Sequence, residues 1–562
     1  MRLSFVVGGV VLVLGVVGTG ARTAEACGGF FCQRVPVDQS GEHLLFGIED
    51  DGTVVAHIQI QYQGAAESFA WVLPLPAEPE VSVGAEEIFR TLRLTTEPRF
   101  GVQWEQTGQC QQPDFGSDAD SDADADADAD GDVTVLQEGP VGPYDRAVIQ
   151  SDDAQALLGW LEDNDYDIPR VSLPEIESYV NGNFVFLALR LQKNRTVGDL
   201  VPVVVRFAEV GPCIPLRLTG IAATPDMPIY AFVLAEGRAV STNFLDVEPN
   251  LAAVDWLTFG ANYQDVVRRA VDEATGHAFV TEYAGSPSIL GRAFWWEARY
   301  RTDDLRTLDD PIDFARELAS QNLLGNPAML RLLQQFIPKP AELVDVSDGQ
   351  FYGCLECYAE ALVGLEFDPE GFADAIQTNI IDPLVEAQAM VDRHPYLTRL
   401  HTTISPDEMT EDPIFRFNLD LGDVSNQHLA QGLAFCDPDH YRSEVRVRLT
   451  LPDGQVLFID PSDPSPSILD DMPASARASH MGETGPGDTV YDNAEVIAGI
   501  IDAHYGTPLP DDGEVDADGD GIPDGGGGVA GGGCTVAQTR GGAVAFAIFA
   551  AALALLRRRR SR

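Results

Sequence analysis

Of the side chains able to do covalent chemistry in this 562-residue chain, the eight cysteines are the most concentrated. Cys354-Leu-Glu-Cys357 has the C-x-x-C spacing that lets one thiol titrate low and attack a disulfide, and the same spacing also closes a small structural bridge. Cys27 and Cys32 bracket Gly28-Gly29 and lie close enough in sequence to pair locally. With Cys110, Cys213 and Cys436 they make an odd number ahead of Cys534, which leaves one thiol over or makes Cys27 a site of lipidation. Zinc has little support, because there is no second C-x-x-C and no histidine pair at four- or five-residue spacing.

Carboxylates are the second candidate chemistry. In "DADGDGIPD", Asp516, Asp518 and Asp520 alternate, Gly521 supplies a turn, Ile522 a carbonyl and Asp524 a further carboxylate, which matches the early positions of a calcium loop. Gly527 stands where the closing bidentate Glu belongs, so this stretch is either a weak calcium site or plain linker; it resembles one half-repeat of the thrombospondin type 3 kind. No other cofactor is indicated. There is no His-Glu-x-x-His, no Gly-x-Ser-x-Gly and no phosphate-cradling Gly-rich loop ending in Lys-Ser/Thr. The nine histidines are scattered. His57 falls in a predicted strand, while His394 and His401, either side of Tyr396 and Leu397, read as surface or packing residues. With 88 acidic against 36 basic residues the formal charge is −52, a surface that repels phosphate backbones and excludes nucleic acid as a partner.

The elements that must hold these residues point to an α+β fold, β-rich at the N-terminal end with mixed antiparallel strands, helix-rich in the middle and closing on a β-hairpin. "LLFGIEDDGTVVAHIQIQYQG" is two β-rich runs around Glu49-Asp50-Asp51-Gly52. "SFAWVLPLP" alternates Phe69, Trp71 and Leu73 on one face, and Pro74 and Pro76 are expected to end it. Strands are expected at 183–192, 201–208 and 228–235, and a short amphipathic helix at 152–164. From about 261 to 392 the pattern is helical, including "NYQDVVRRAVDEA", "DPIDFARELASQ" and "DPLVEAQAMVDR". "SEVRVRLTLPDGQVLFID" forms the final hairpin about Pro452-Asp453-Gly454. The segment at 117–132, "SDADSDADADADADGD", buries almost nothing in any conformation and is expected to be disordered.

Both termini read as addresses. Met1-Arg2, the apolar stretch 5–17 and Ala24-Glu25-Ala26 form a secretory signal cleaved between Ala26 and Cys27. A lipoprotein signal would also leave Cys27 first, but residues 19–26 separate it from the apolar run, which favours ordinary secretion. At the other end, residues 541–556 carry no charge and would rise about 24 Å as a helix, slightly short of the roughly 30 Å of a bilayer core. Arginines 557–560 follow and would hold the extreme C-terminus on the cytoplasmic side.

The Gly-rich stretch 525–533, the lone Cys534, the apolar segment and the four arginines resemble the MYXO-CTERM class of bacterial sorting signals. That resemblance implies cleavage near Cys534 by a membrane-embedded sorting protease, lipidation of Cys534 and delivery to the cell surface, with membrane lipid as the other partner of the tail. "ACGGFFCQRVPVDQSGEHLLF", "SFAWVLPLPAEP", "SYVNGNFVFLALRLQ", "CIPLRLTGIAATPDMPIYAFVL" and "YLTRLHTTISPDEMTEDPIF" resemble the secreted bacterial proteins of domain-of-unknown-function family 2330, from Cys27 to about residue 440. This second likeness implies secretion and architecture but no catalytic residue. The expected organisation is thus a signal peptide (1–26), a β-rich α+β domain (27–250), a helix-rich part ending in a hairpin (251–504), an acidic Gly-rich linker (505–533) and a sorting signal (534–562). The expected role is an exported, membrane-anchored or surface-displayed binding or structural module. The alternative is an extracellular enzyme, either a hydrolase or a thiol-disulfide protein using Cys354 and Cys357.

Overall fold

The computed structural model describes residues 38–505, apart from 64–69, 109–133, 165, 167–171, 193–199, 209–210, 292–300, 322, 324–326, 437–444 and 460–471. The leader, Ala26, Cys27, Cys32, the Asp-Ala stretch, Asp516 to Asp524, Cys534 and the 541–556 segment lie outside the described residues.

The fold is α+β, and its centre is a ten-stranded sheet. In spatial order its strands are Asp488–Asp492, Ser475–His480, Leu245–Pro249, Ala278–Gly285, Tyr396–Ile404, Met227–Ala235, Asp38–Ile48, Thr53–Gln63, Val203–Ala208 and Glu80–Val83. Asp38–Ile48 and Thr53–Gln63 are the expected hairpin. Gly52 at φ +83° makes its turn, closed by Gly52 N–H donating to the Glu49 carbonyl at 2.9 Å. The next neighbour of Asp38–Ile48 is not sequential: Met227–Ala235 runs parallel to it, pairing Glu42 with Ile229 and His43 with Tyr230. Strands from both sides of residue 250 therefore share this sheet, and the described residues group into one compact unit.

Alternation along each strand supplies two different cores. On one face Leu44, Ile58, Ala231 and Val233 meet Trp71, Leu73, Leu187 and Leu189 of a second sheet, in which Ala70–Leu75, Val185–Leu191, Tyr144–Gln150 and Thr134–Val141 lie side by side. The far face of that smaller sheet is covered by helices Ala154–Asp163 and Leu173–Asn181 through Leu157, Leu161, Ile176 and Tyr179. On the opposite face of the large sheet, Leu45, Val55, Phe232 and Leu234 pack under helices Glu86–Thr96, Pro311–Ser320, Pro369–Ile376 and Asp382–Arg393. The result is four layers, helix, sheet, sheet and helix.

A third core joins helix Tyr263–Glu273 to a four-stranded sheet in which Arg99–Thr107 runs parallel to Gln427–Phe435. Val447–Thr450 and Val456–Ile459 complete that sheet and pair antiparallel across a turn containing Gly454 at φ +88°.

Two expectations need correction. Pro74 does not end its strand: Ala70–Leu75 runs through it, with Pro74 opposite Phe186. The strand is at the edge of its sheet, where one side of the backbone has no ladder to feed and the missing N–H costs nothing. The span 261–392 is not wholly helical either, because Ala278–Gly285 is a central strand whose β-branched and aromatic residues suit a buried pleat.

Candidate functional site

A set of titratable side chains lies on the helix-covered face of the large sheet. Register aligns Gln59, His43, Tyr230 and His401 across four adjacent strands, with Phe232 and Arg399 in the next row. Glu282 joins them through a β-bulge: Thr281 pairs with Leu400 and Tyr283 with Arg399, so Glu282 is the extra residue and its side chain is turned towards Arg399 and His401.

Both carboxylate oxygens of Glu282 are hydrogen-bonded. Arg399 Nε donates to one carboxylate oxygen at 2.5 Å and His401 Nδ1 to the other at 2.8 Å, while the Tyr263 hydroxyl lies beside them. Burial alone would push the Glu282 carboxyl up, but Arg399 and His401 outweigh it and hold the group down at about 2. Arg399 Nη1 donates to the carbonyl of Arg93 at 3.1 Å and to Thr96 Oγ1 at 3.4 Å, so the end of helix Glu86–Thr96 is tied to the sheet. Its guanidinium also sits 5.0 Å from the Tyr230 ring centre, and Tyr230 stacks on His401 at 4.3 Å.

Towards the surface, Tyr230 donates to Gln264 Oε1 at 3.4 Å, and His43 Nδ1 is 3.0 Å from Gln59 Oε1. Burial depresses the His43 imidazole to about 4, against the pull of Gln59, so His43 is neutral at physiological pH. A second row of rings, with Phe100 at 5.0 Å from Tyr263 and stacked on His428 at 4.9 Å, continues the cluster.

A carboxylate bonded to an imidazole whose other nitrogen is unpartnered is, in principle, a proton-transfer dyad, and His401 Nε2 has no partner. Access decides against it. The side chains of Glu282 and His401 are 0% exposed and that of Arg399 is 2% exposed, so no reactant reaches Nε2 in this arrangement. The cluster binds helix to sheet and fixes register.

Of the expected site residues, the structure brings Cys354 and Cys357 together in a disulfide, and both residues are exposed. Cys354 ends helix Asp348–Gly353, which begins with a Ser347–Gln350 capping box, and starts the 3-10 segment Leu355–Leu362; the Cys357 N–H donates to the Cys354 carbonyl at 3.0 Å. On the same exposed side Arg316 Nε bonds Glu356 at 2.9 Å. Cys436 is also disulfide-bonded. Among the described residues, no group of three or more His, Cys, Asp or Glu could hold a metal ion, and no helix is long and apolar enough to cross a membrane.

His394 and His401, read from the sequence as surface or packing residues, are both packed: His401 lies in the buried cluster, stacked on Tyr230, and His394 between the carbonyls of Met390 at 2.7 Å and Ile48 at 2.9 Å. Glu282, Arg399, Tyr230 and Tyr263 carry no motif that the sequence analysis singles out. The available signal was a charged residue inside an apolar strand run ("AFVTEYAG") and Arg399 and His401 two apart in another ("YLTRLHTTI").

Residues 22–293 match the model of a family described as an uncharacterized protein conserved in bacteria (DUF2330). This supports, over that stretch, the domain family read from the sequence. No curated protein and no solved structure matches the chain.

Proposed function

From a chain carrying this bacterial domain, we propose an exported, surface-displayed binding or structural module. The observation that carries the reading is the exposed Cys354–Cys357 bond, since a disulfide open to solvent persists only where no thiol pool reduces it. The signal at 1–26 and the tail at 534–562 supply the route and the anchor. Sealing of the Glu282 cluster turns the concentrated polar chemistry inward, to hold the scaffold. The weak calcium loop at Asp516, Asp518, Asp520 and Asp524 belongs to the stalk. Mass spectrometry of the native protein tests this: a first residue at Cys27 and a C-terminus near a lipidated Cys534 are expected, and an intact leader on a cytosolic protein would overturn it.

A second reading, a thiol-disulfide protein, is favoured by the exposure of both cysteines at the start of a helical segment. It requires the protein to accelerate reduction of insulin by dithiothreitol, and Cys354→Ser with Cys357→Ser to abolish the acceleration. A structural bridge shows no acceleration.

A further inference from the structure

Where the sealed cluster reaches the surface, helices Glu86–Thr96 and Tyr263–Glu273 flank Tyr230. Phe89 of the first stacks on His43, ring centres 5.9 Å apart, and His43 lies 5.4 Å from Tyr230. Arg93 follows Phe89 one turn later on the same side of that helix. Burial does most to depress the His43 imidazole and to raise the Tyr230 phenol, and the Arg93 charge acts on both, so its guanidinium is within electrostatic reach of the two rings. From the second helix, exposed Gln264 offers its Oε1 to the Tyr230 hydroxyl at 3.4 Å.

Arg93 is exposed, and its guanidinium makes no hydrogen bond or ion pair among the described residues. Other helix arginines of this polyanion do pair: Arg90 with Glu87, Arg268 with Asp265 and Asp272, Arg316 with Asp313 and Glu356. Glu97, a turn beyond Arg93, forms no ion pair with it, and Glu282 below is taken up by Arg399 and His401. A cation in the last turn complements the helix dipole, but that role sets no requirement on the groups around it.

Those groups are donors. Gln59 gives its Oε1 to His43 at 3.0 Å and Gln264 gives its Oε1 to Tyr230, which leaves the amide N–H groups of both without a partner among the described residues. The setting is rigid: Arg399 holds the Arg93 carbonyl, Asn426 Nδ2 donates to the carbonyls of Thr95 at 3.0 Å and Glu97 at 3.1 Å, and Tyr230 is stacked on His401. A fixed guanidinium fork with neutral donors beside it matches a carboxylate, which it can bind bidentately. The field of a chain of net charge −52 penalises every further negative charge on a ligand, which favours a single carboxylate over phosphate.

We propose that Arg93, with the amides of Gln59 and Gln264 and the Tyr230 hydroxyl between them, binds the carboxylate of a small, singly charged organic acid. This gives the binding reading a ligand class and rests on it. All four residues fall within the 22–293 stretch that matches the family model.

Saturation-transfer NMR from the full chain to propionate, in sodium chloride of about 0.15 M, tests the site. Wild type is expected to bind propionate saturably, and Arg93→Gln to weaken binding about tenfold or more with its melting temperature nearly unchanged. Arg93→Lys keeps the charge, loses the fork and should fall between the two. Tyr230→Phe keeps the stack on His401 and should weaken binding a few-fold. Arg99→Gln removes the same charge from the following strand and should bind as wild type does. Absence of saturable transfer, or Arg93→Gln binding as tightly as wild type, would overturn the inference. So would displacement of propionate by inorganic phosphate at equal concentration, which makes this an adventitious ion only. Export is read separately from the chain termini, so a correctly processed chain that ignores propionate sinks the ligand class and leaves surface display standing.

Discussion

Glu282 illustrates how a single buried charge can be worth more to a fold than to a reaction. Removing it leaves Arg399 ionised and unpaired in the core, so Glu282→Ala is expected to cost about 3–5 kcal/mol in chemical denaturation, whereas Val363→Asp at the surface leaves stability nearly unchanged. Because the Glu282 carboxyl is held down at about 2 in the folded state, its contribution is present above its ordinary value of 4.5 and is lost as pH falls towards 2. Glu42 has the opposite sign. It is fully buried with Gln39 Nε2 at 3.2 Å as its hydrogen-bond donor, and burial pushes its carboxyl up to about 7 against that donor's pull. Folding therefore favours the protonated form: the stabilisation is complete below 4.5 and is lost as pH rises through 7. From pH 4.5 to 7 this residue should remove about 3 kcal/mol of stability, and Glu42→Gln should flatten that part of the pH profile.

At the scale of elements, the most informative contacts are those a sequence pattern cannot show. Strand Asp38–Ile48 approaches helix Asp382–Arg393 so closely at Gly47 that a Cβ there would lie 2.3 Å from Met390 Sδ. Gly47→Ala is expected to destabilise by about 1–3 kcal/mol through overpacking, and Gly47→Ala with Met390→Ala to recover part of that loss, as thermal unfolding would register. The Cys354–Cys357 bridge encloses a short loop, so the chain-entropy argument gives it only about 2 kcal/mol. Replacing both cysteines by serine should lower the melting temperature by a few degrees and leave the helices in place by circular dichroism. Helices and outer strands were legible because each buries one face and repeats at its own period; the expected helix at 152–164 is Ala154–Asp163, and the expected strand at 228–235 is Met227–Ala235. Pro74 misled because whether a proline ends a strand depends on whether that strand is an edge, which is a property of the sheet.

For the molecule as a whole, the −52 charge is the dominant long-range term. Self-repulsion among carboxylates is expected to make the folded state measurably less stable in low salt, with the denaturation midpoint rising as sodium chloride approaches 0.15 M and the Debye length shortens to about 8 Å. By itself, the sequence determined the α+β class, most local elements, the strongly negative net charge and the pairing candidates Cys354 and Cys357, because composition, periodicity and short spacing act over a few residues. Tertiary structure alone decided that Asp38–Ile48 lies parallel to Met227–Ala235, that one sheet spans residue 250, and that Glu282, Arg399 and His401 meet in a closed cluster. Those outcomes depend on register between strands more than a hundred residues apart and on one bulge that turns a carboxylate inward. Burial and pairing of a charge are set by which distant strands become neighbours, and no local pattern of residue types encodes that choice.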